Sequence, residues 1–251
     1  AMFELLRARF AHGYQAIPNP LKAAIHPSFP GLPSILRADE QDFAAAAKLC
    51  PTGAIGKLYL DLGKCSFCGA CSRKFPDTFV FNPDYRMSSS SRDGLIIKWD
   101  EDKQASSVPR VEVNLMLNKH FRLSFAMRNV SAGGCNACEL ELGATSNVNF
   151  DMGRYGLEVV ASPRHADALI LTGPISANMA AAFRVTWEAI PEPKVLILSG
   201  ACAISGGLFA DSKAIDRSVL SGIEPALYIP GCPAHPLSII HGIMSLLGRV
   251  K

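Results

Sequence analysis

The eight cysteines of this chain fall into two groups of four, and that partition constrains the fold more than any other feature. The first group is Cys50, followed directly by Pro51, together with the run Cys65-x-x-Cys68-x-x-Cys71. The second is Cys135-x-x-Cys138 with Cys202 and Cys232, each of the last two on its own Gly-rich loop. None is left over. Four thiolates are the ligand set of an iron–sulfur cubane, and a C-x-x-C-x-x-C run wraps three of them around one cluster with backbone amides aimed at its sulfurs. Two complete sets point to two [4Fe-4S] clusters and to electron transfer between them.

The first group also records a loss. A two-cluster ferredoxin carries two runs of C-x-x-C-x-x-C-x-x-x-C-P, and the last Cys of each run ligates the other run's cluster. If Cys50-Pro51 ends a first run, its other ligand positions fall at Glu40, Phe43 and Ala46, none of which can serve. If Cys65, Cys68 and Cys71 open a second run, its last ligand falls at Phe75-Pro76, where the proline persists and the cysteine does not. One cluster site is thus erased whole, and the other is intact as Cys50, Cys65, Cys68 and Cys71. The pattern is that of a degenerate ferredoxin-like module with one [4Fe-4S] cluster. A structural zinc site is the alternative that four thiolates also allow, and with it a zinc-binding module that carries no electrons. Zinc sites usually pair two short C-x-x-C knuckles, which this is not. A disulfide framework fits less well still, since nothing marks secretion.

Composition sets outer bounds. At 251 residues the chain accommodates one large or two modest domains. Hydrophobic residues make up 49% and charged residues only 19%, a balance suited to a subunit among partners or to a large α/β core. A net charge of +3 is too small to imply nucleic acid. The opening segment Phe3 to Phe10 has no long apolar core, so no secretory signal is expected. No stretch approaches the roughly 20 apolar residues of a membrane span. The expected location is cytoplasmic or peripheral.

Three regions follow from the pattern. Residues 1–33 read as an N-terminal arm, a short amphipathic segment and then an extended stretch containing Pro18, Pro20, Pro27, Pro30 and Pro33, of the kind that lies along another surface. Residues 34–108 form the smaller α+β ferredoxin-like domain. It has a helix from Asp42 to Leu49, strands at Leu58–Asp61 and Phe79–Phe81, a hairpin partner at Leu95–Trp99 and a solvated loop at Ser88–Ser91. Asp100 to Pro109 reads as a linker. From 118 to 251 the pattern alternates strands (Arg122–Val130, Leu157–Ala161, Ala168–Thr172, Lys194–Ser199, Ala226–Ile229) with helices such as Ala177–Ala189 and Ser238–Leu247. Short apolar strands joined by helices predict a doubly wound parallel sheet of flavodoxin-like type. In such sheets the functional crevice lies beyond the carboxyl ends of the strands. Cys135, Cys202 and Cys232 follow the first, fourth and fifth strands, so their loops are expected to converge there.

At these residues the C-terminal half resembles a known family. Gly133-Gly134-Cys135-Asn136-Ala137-Cys138-Glu139-Leu140-Glu141, Ser162-Pro163-Arg164-His165-Ala166-Asp167, Gly200-Ala201-Cys202-Ala203-Ile204-Ser205-Gly206-Gly207 and Pro230-Gly231-Cys232-Pro233 look like the shared fold of complex I's 20 kDa subunit and the small subunits of [NiFe] hydrogenases. Complex I has two adjacent cysteines as its first ligand pair; the spaced pair here is the hydrogenase form. The resemblance is therefore strongest to the small subunit of group 4 membrane-bound energy-converting hydrogenases of the formate hydrogenlyase type. It implies that Cys135, Cys138, Cys202 and Cys232 hold the proximal [4Fe-4S] cluster beside the nickel–iron centre of a partner large subunit. It further implies other iron–sulfur and integral-membrane subunits, and a place on the inner face of the cell membrane reached through them. The chain would carry electrons with no catalytic centre and no turnover alone. A related complex that reduces a quinone or a sulfur compound is the alternative. Two departures stand out: Pro233-Ala234-His235-Pro236 follows the last cysteine where relatives commonly carry two prolines, and the ferredoxin-like module is fused at the N-terminal side.

Other polar residues carry weaker signals. Glu139 and Glu141 are expected in the first turn of a helix, where the dipole favours a carboxylate; Glu139 is also a candidate proton relay. His165 reads as structural or as a neighbour of a ligand, and His235 as a possible hydrogen-bond partner tuning the site at Cys232. Arg128 and Arg164 could shield cluster charge or form surface ion pairs. Gly206-Gly207 lacks the Walker lysine and the G-x-G-x-x-G that a nucleotide site needs.

Overall fold

The structure, a computed structural model, describes residues 2–13, 15–20, 22–102 and 105–250. It opens with helix α1 (Met2–His12), whose Phe3, Leu5, Leu6 and Phe10 are all exposed. An extended stretch follows and lies along the rest of the molecule: the Ile17 amide donates to Asn149 O at 2.8 Å, and Tyr85 Oη donates to Pro20 O at 2.6 Å.

The N-terminal region is built from β1 (Leu32–Ile35), α2 (Glu40–Leu49), β2 (Ile55–Gly56), β3 (Tyr59–Asp61), α3 (Ala70–Lys74), β4 (Phe79–Asn82), β5 (Ile96–Asp100) and β6 (Ala105–Ser106). These strands form two small antiparallel sheets, β1–β4 and β2–β3–β5–β6. Asp39 caps α2 by accepting from the amides of Gln41 and Asp42. The helix stops at Cys50, which is extended at φ −75°, ψ 116°, because the following Pro51 disfavours helical geometry before it. The expected hairpin partner is β5, and it pairs with β3 and β6 rather than with β4, whose partner is β1. Strand β1 runs across positions 33 and 34, where the arm was expected to end, and β6 lies inside the expected linker. The Ser88–Ser91 loop corrects the sequence reading: Ser88 and Ser89 are 3% and 1% exposed. The Ser89 amide and carbonyl exchange hydrogen bonds with Tyr228 at 3.0 and 2.8 Å, which covers an otherwise open strand edge.

The C-terminal region begins with α4 (Leu115–His120) and continues through β7 (Phe125–Ser131), α5 (Ala137–Ala144), β8 (Leu157–Val159), β9 (Ala168–Thr172), α6 (Ala177–Ala189), β10 (Val195–Ser199), α7 (Ala201–Ser205), β11 (Pro225–Ile229) and α8 (Pro236–Leu246). Its five strands run parallel in the order β11–β10–β9–β7–β8. Counted from β7, this is the 2-1-3-4-5 order of flavodoxin-like sheets, with the reversal between β7 and β9. β9 and β10 are buried at every position, which is why they read as continuous apolar runs rather than alternating ones.

Alternation along the strands separates two layers. Ala168 and Ile170 of β9 face a core shared with α8, Leu142 of α5 and Leu117 of α4. Leu169 and Leu171 face the other way, into a core shared with Phe183 of α6 and with Phe43, Leu62, Phe79 and Leu95 of the N-terminal region. The N-terminal region therefore packs as part of one covering layer of the sheet. A bidentate ion pair within it braces the side that meets the sheet: Arg92 donates to both carboxylate oxygens of the buried Asp61, at 2.8 and 2.5 Å. Beside it Gly63 packs so closely that an added Cβ would lie 2.7 Å from Ile204 Cγ2.

Asp61→Asn keeps the volume and removes the charge facing Arg92. We expect a loss of about 3 kcal/mol in denaturant unfolding, the scale for breaking a buried pair. A loss below about 1 kcal/mol would class the contact with ordinary surface pairs.

Candidate iron–sulfur sites

The first four cysteines line one pocket, together with Pro51, Ala54, Ile55, Leu60 and Phe81. Three of them arrive from different local devices. Cys50 is the residue at which α2 is forced to end. Cys65 is delivered by a turn out of β3, its amide bonded to Asp61 O at 3.0 Å. Cys71 lies in α3, whose preceding residue Gly69 sits at φ +68°. Backbone amides already point at the sulfurs: Ala54 N–H donates to Cys50 Sγ and Phe67 N–H to Cys65 Sγ, both at 3.3 Å. Phe43 and Ala46, at erased ligand positions, are buried in the core. The Phe43 ring meets Phe79 at 4.9 Å, and Phe75 packs against the same core. Apolar packing fills these three positions.

The second four converge at the carboxyl edge of the parallel sheet. Cys135 and Cys138 follow β7, beside the reversal in strand order; Cys202 opens α7 after β10; Cys232 follows β11. The loops approach closely. An added Cβ on Gly200, which sits at φ +89°, would lie 2.5 Å from Cys138 Sγ, and one on Gly207 would lie 2.9 Å from Cys202 Sγ. Glycine is required here for space as well as for backbone conformation.

Burial dominates the electrostatics of both groups. It pushes the Cys65 and Cys138 thiols up to about 12 and Cys202 to about 11, and it raises Cys71 and Cys232. Neighbouring thiols of the same group add to each shift. Thiols this desolvated stay protonated at neutral pH unless a cation compensates the thiolate, which is what metal ligation supplies. Among the described residues no three His, Cys, Asp or Glu side chains close on a single-ion site. Tetrahedral zinc at 2.3 Å from each sulfur would need thiolates about 3.8 Å apart. Four thiols around a pocket with amides aimed inward suit a larger, sulfur-rich group. The residues present therefore fit a four-iron cluster in the first site, and the four thiols that three loops bring to one sheet edge, with backbone close against Cys138 and Cys202, are a fitting donor set for one in the second.

The two sites adjoin. Cys68 acts electrostatically on Cys232, and Phe67 and Cys232 line one cavity with Phe29, Met87, Glu141 and His235. His235 is held between the rings of Phe29 and Phe150, at 4.8 and 5.9 Å, and its Nδ1 accepts from the Leu237 amide. Burial lowers it to about 4, so it is a neutral imidazole that starts α8 and carries its proton on Nε2. Glu139 is in the first turn of α5 and is tethered: Asn129 donates to Thr172 Oγ1, and the Thr172 hydroxyl bonds Glu139 Oε1 at 2.6 Å. Glu141 lies two residues further along α5, and burial raises it. His165 and Arg164 lie away from both cysteine groups, which favours the structural and surface readings over a role beside a cluster. Both are exposed in the turn before β9, at the amino edge of the sheet, opposite the cysteine loops. Arg128 is half-buried within β7. Sequence reasoning missed Arg217, whose guanidinium donates to the carbonyls of Cys202, Ala203 and Ile204 at 3.1, 2.7 and 3.1 Å. Its position in a polar turn after Asp211, Ser212 and Lys213 gave no such signal.

Residues 135–246, which contain the whole second cysteine group, match the family described as NADH ubiquinone oxidoreductase, 20 Kd subunit. Formate hydrogenlyase subunit 7 of Escherichia coli is 40% identical over 136 residues, 54% of this chain and 53% of the relative. The chain thus spans about half the length of that relative. The probable membrane-bound hydrogenase subunit mbhJ of Pyrococcus furiosus is 34% identical over 49% of this chain and 73% of its own length. NADH-quinone oxidoreductase subunit 6 of Thermus thermophilus is 41% identical over 47% of this chain and 65% of its own length. The chain belongs to the complex I 20 kDa subunit family. The family match begins at Cys135, so the first cysteine group stands on its own residues and geometry.

Gly200→Ala places a methyl group against Cys138 Sγ. We expect anaerobically purified protein to bind about four irons instead of about eight, the loss falling on the second site. Retention of the full iron content would show that this approach is not required.

Proposed function

We propose that this chain is the iron–sulfur electron-transfer subunit of a membrane-associated [NiFe] hydrogenase complex. It relays electrons through two [4Fe-4S] clusters to or from the nickel–iron site of a partner large subunit, where 2 H+ + 2 e− and H2 interconvert. The observation that carries this reading is the pair of adjoining four-thiol sites, the second lying wholly within the family match. The names of the relatives in Escherichia coli and Pyrococcus furiosus favour a hydrogenase complex.

When bound, a [4Fe-4S] cluster supplies a one-electron carrier whose potential is set by charge, hydrogen bonds and exposure. The remaining work belongs to the chain. Cys50, Cys65, Cys68 and Cys71 would hold the ferredoxin-like cluster, and Cys135, Cys138, Cys202 and Cys232 the proximal one. The amides of Ala54 and Phe67 direct positive dipole toward ligand sulfurs. Phe81, Leu60 and Ile55 keep water from the first site. Cys135 and Cys232 are exposed at the carboxyl edge, with exposed Leu140 on α5 and Leu208 and Phe209 just after α7. That thiol-bearing apolar edge suits docking by the large subunit. No helix among the described residues is long and apolar enough to cross a membrane.

Iron and acid-labile sulfide should each measure about eight per chain in anaerobic preparations. About four, or zinc in the first site, would contradict the assignment of the N-terminal module. Cys50→Ala and Cys68→Ala should each remove the ferredoxin-like cluster alone, since the sites share no ligand. Loss of both clusters from either change would refute the partition. The chain without partners should evolve no H2 from a reduced dye, and robust evolution would place catalysis here instead.

A further inference from the structure

Arg217 lies in the connection between α7 and β11. Its guanidinium donates to the carbonyls of Cys202, Ala203 and Ile204 and, at 3.4 Å, to Pro174 O. Three of these four carbonyls belong to the five residues of α7, the helix that carries Cys202. Among the described residues no carboxylate pairs with it. The neighbouring Asp216 is engaged by Ser218, at 2.6 Å from the hydroxyl and 3.0 Å from the amide. The other guanidinium near it, Arg92, is matched by Asp61.

A half-buried cation without an anionic partner carries a desolvation cost, and arginine does not shed its proton to escape it. Backbone carbonyls satisfy its donors but leave its charge unmatched. A glutamine could supply carbonyl-directed hydrogen bonds with no such cost. The anion within reach is the second cysteine group: the guanidinium lies 3.1 Å from the carbonyl oxygen of Cys202 itself. Glu139, the residue after Cys138 in α5, adds negative charge near the site. A site with four thiolates is anionic and becomes more so on reduction.

We propose that Arg217 is the positioning and charge-compensating residue of the second site: it clasps α7 so that Cys202 is aimed, and its fixed positive charge favours the reduced state of the group held there. The proposal rests on the reading that Cys135, Cys138, Cys202 and Cys232 hold a cluster. A purely structural clasp would require the hydrogen bonds but not the charge.

The test compares Arg217→Lys, which keeps charge and loses the fork, with Arg217→Gln, which keeps a donor and loses charge. Each is made in the full chain within its native complex and purified anaerobically. Iron and sulfide are counted, and the midpoint potential of the second cluster is read by redox titration followed by electron paramagnetic resonance. The Gln variant should shift the reduction equilibrium at least tenfold toward the oxidised state, a midpoint about 59 mV more negative for one electron. The Lys variant should remain within about threefold of the unmodified protein. Retention of the cluster by the Lys variant but not by the Gln variant would also count for the charge. Equal midpoints in the unmodified and Gln proteins, or loss of the cluster from both variants, would make Arg217 a structural clasp and overturn the proposal. Absence of a second cluster from the unmodified chain is a separate result, and it would overturn the assignment of the site itself.

Discussion

Everything functional in this molecule depends on where a parallel sheet releases its chain. β7, β10 and β11 all point the same way, so the loops that leave them emerge at one edge, and Cys135, Cys138, Cys202 and Cys232 leave with them. Burial of β9 and β10 on both faces fixes that edge, because a one-residue slip would exchange the two packed faces. Close approach at Gly200 and Gly207 then brings backbone against sulfur. The cost falls on the more buried thiols: desolvation pushes Cys138 and Cys202, and to a smaller extent Cys232, away from their ionised form. Thiols so placed are poor neighbours for one another and good ligands for a cationic group.

The N-terminal region is joined to this edge rather than tethered at a distance. Its ion pair Arg92–Asp61, the Gly63–Ile204 approach and the Ser89–Tyr228 bridge all lie where it meets the sheet layer that carries Cys202 and Cys232. Ile204 is two residues from Cys202, and Gly63 two residues from Cys65. The contact between the regions therefore sets the relation between the two thiol sites. Electron tunnelling needs a short and fixed separation, and a packed contact gives that where a flexible linker would not.

Much of this was legible in the sequence, and the limits have physical causes. β9 and α6 fall at the residues expected because an all-apolar strand and an Ala-rich segment after a Ser leave few alternatives. The carboxyl-edge placement of the second cysteine group followed from topology alone. Strand β1 was missed because Leu32-Pro33-Ser34-Ile35 contains a proline and looks like part of the extended arm; it forms because β4 supplies a partner. Ser88 and Ser89 looked solvated because serine runs usually are, and only the tertiary partner Tyr228 buries them. His165, read as structural or as a neighbour of a ligand, lies in a turn that enters a strand instead of leaving one, which only the strand order makes plain. Arg217 could not be found without coordinates, since its partners are main-chain carbonyls that no side-chain pattern announces.

The central claim is that one chain holds two four-iron clusters side by side, with Phe67 of the first site and Cys232 of the second lining one cavity. Electron paramagnetic resonance of the fully reduced, anaerobically purified protein tests it most directly. Two reduced clusters this close must broaden or split each other's signals, and Cys68→Ala must return the remaining signal to that of an isolated cluster. A single unbroadened signal in the unmodified protein, or two signals indifferent to each other, would contradict the account.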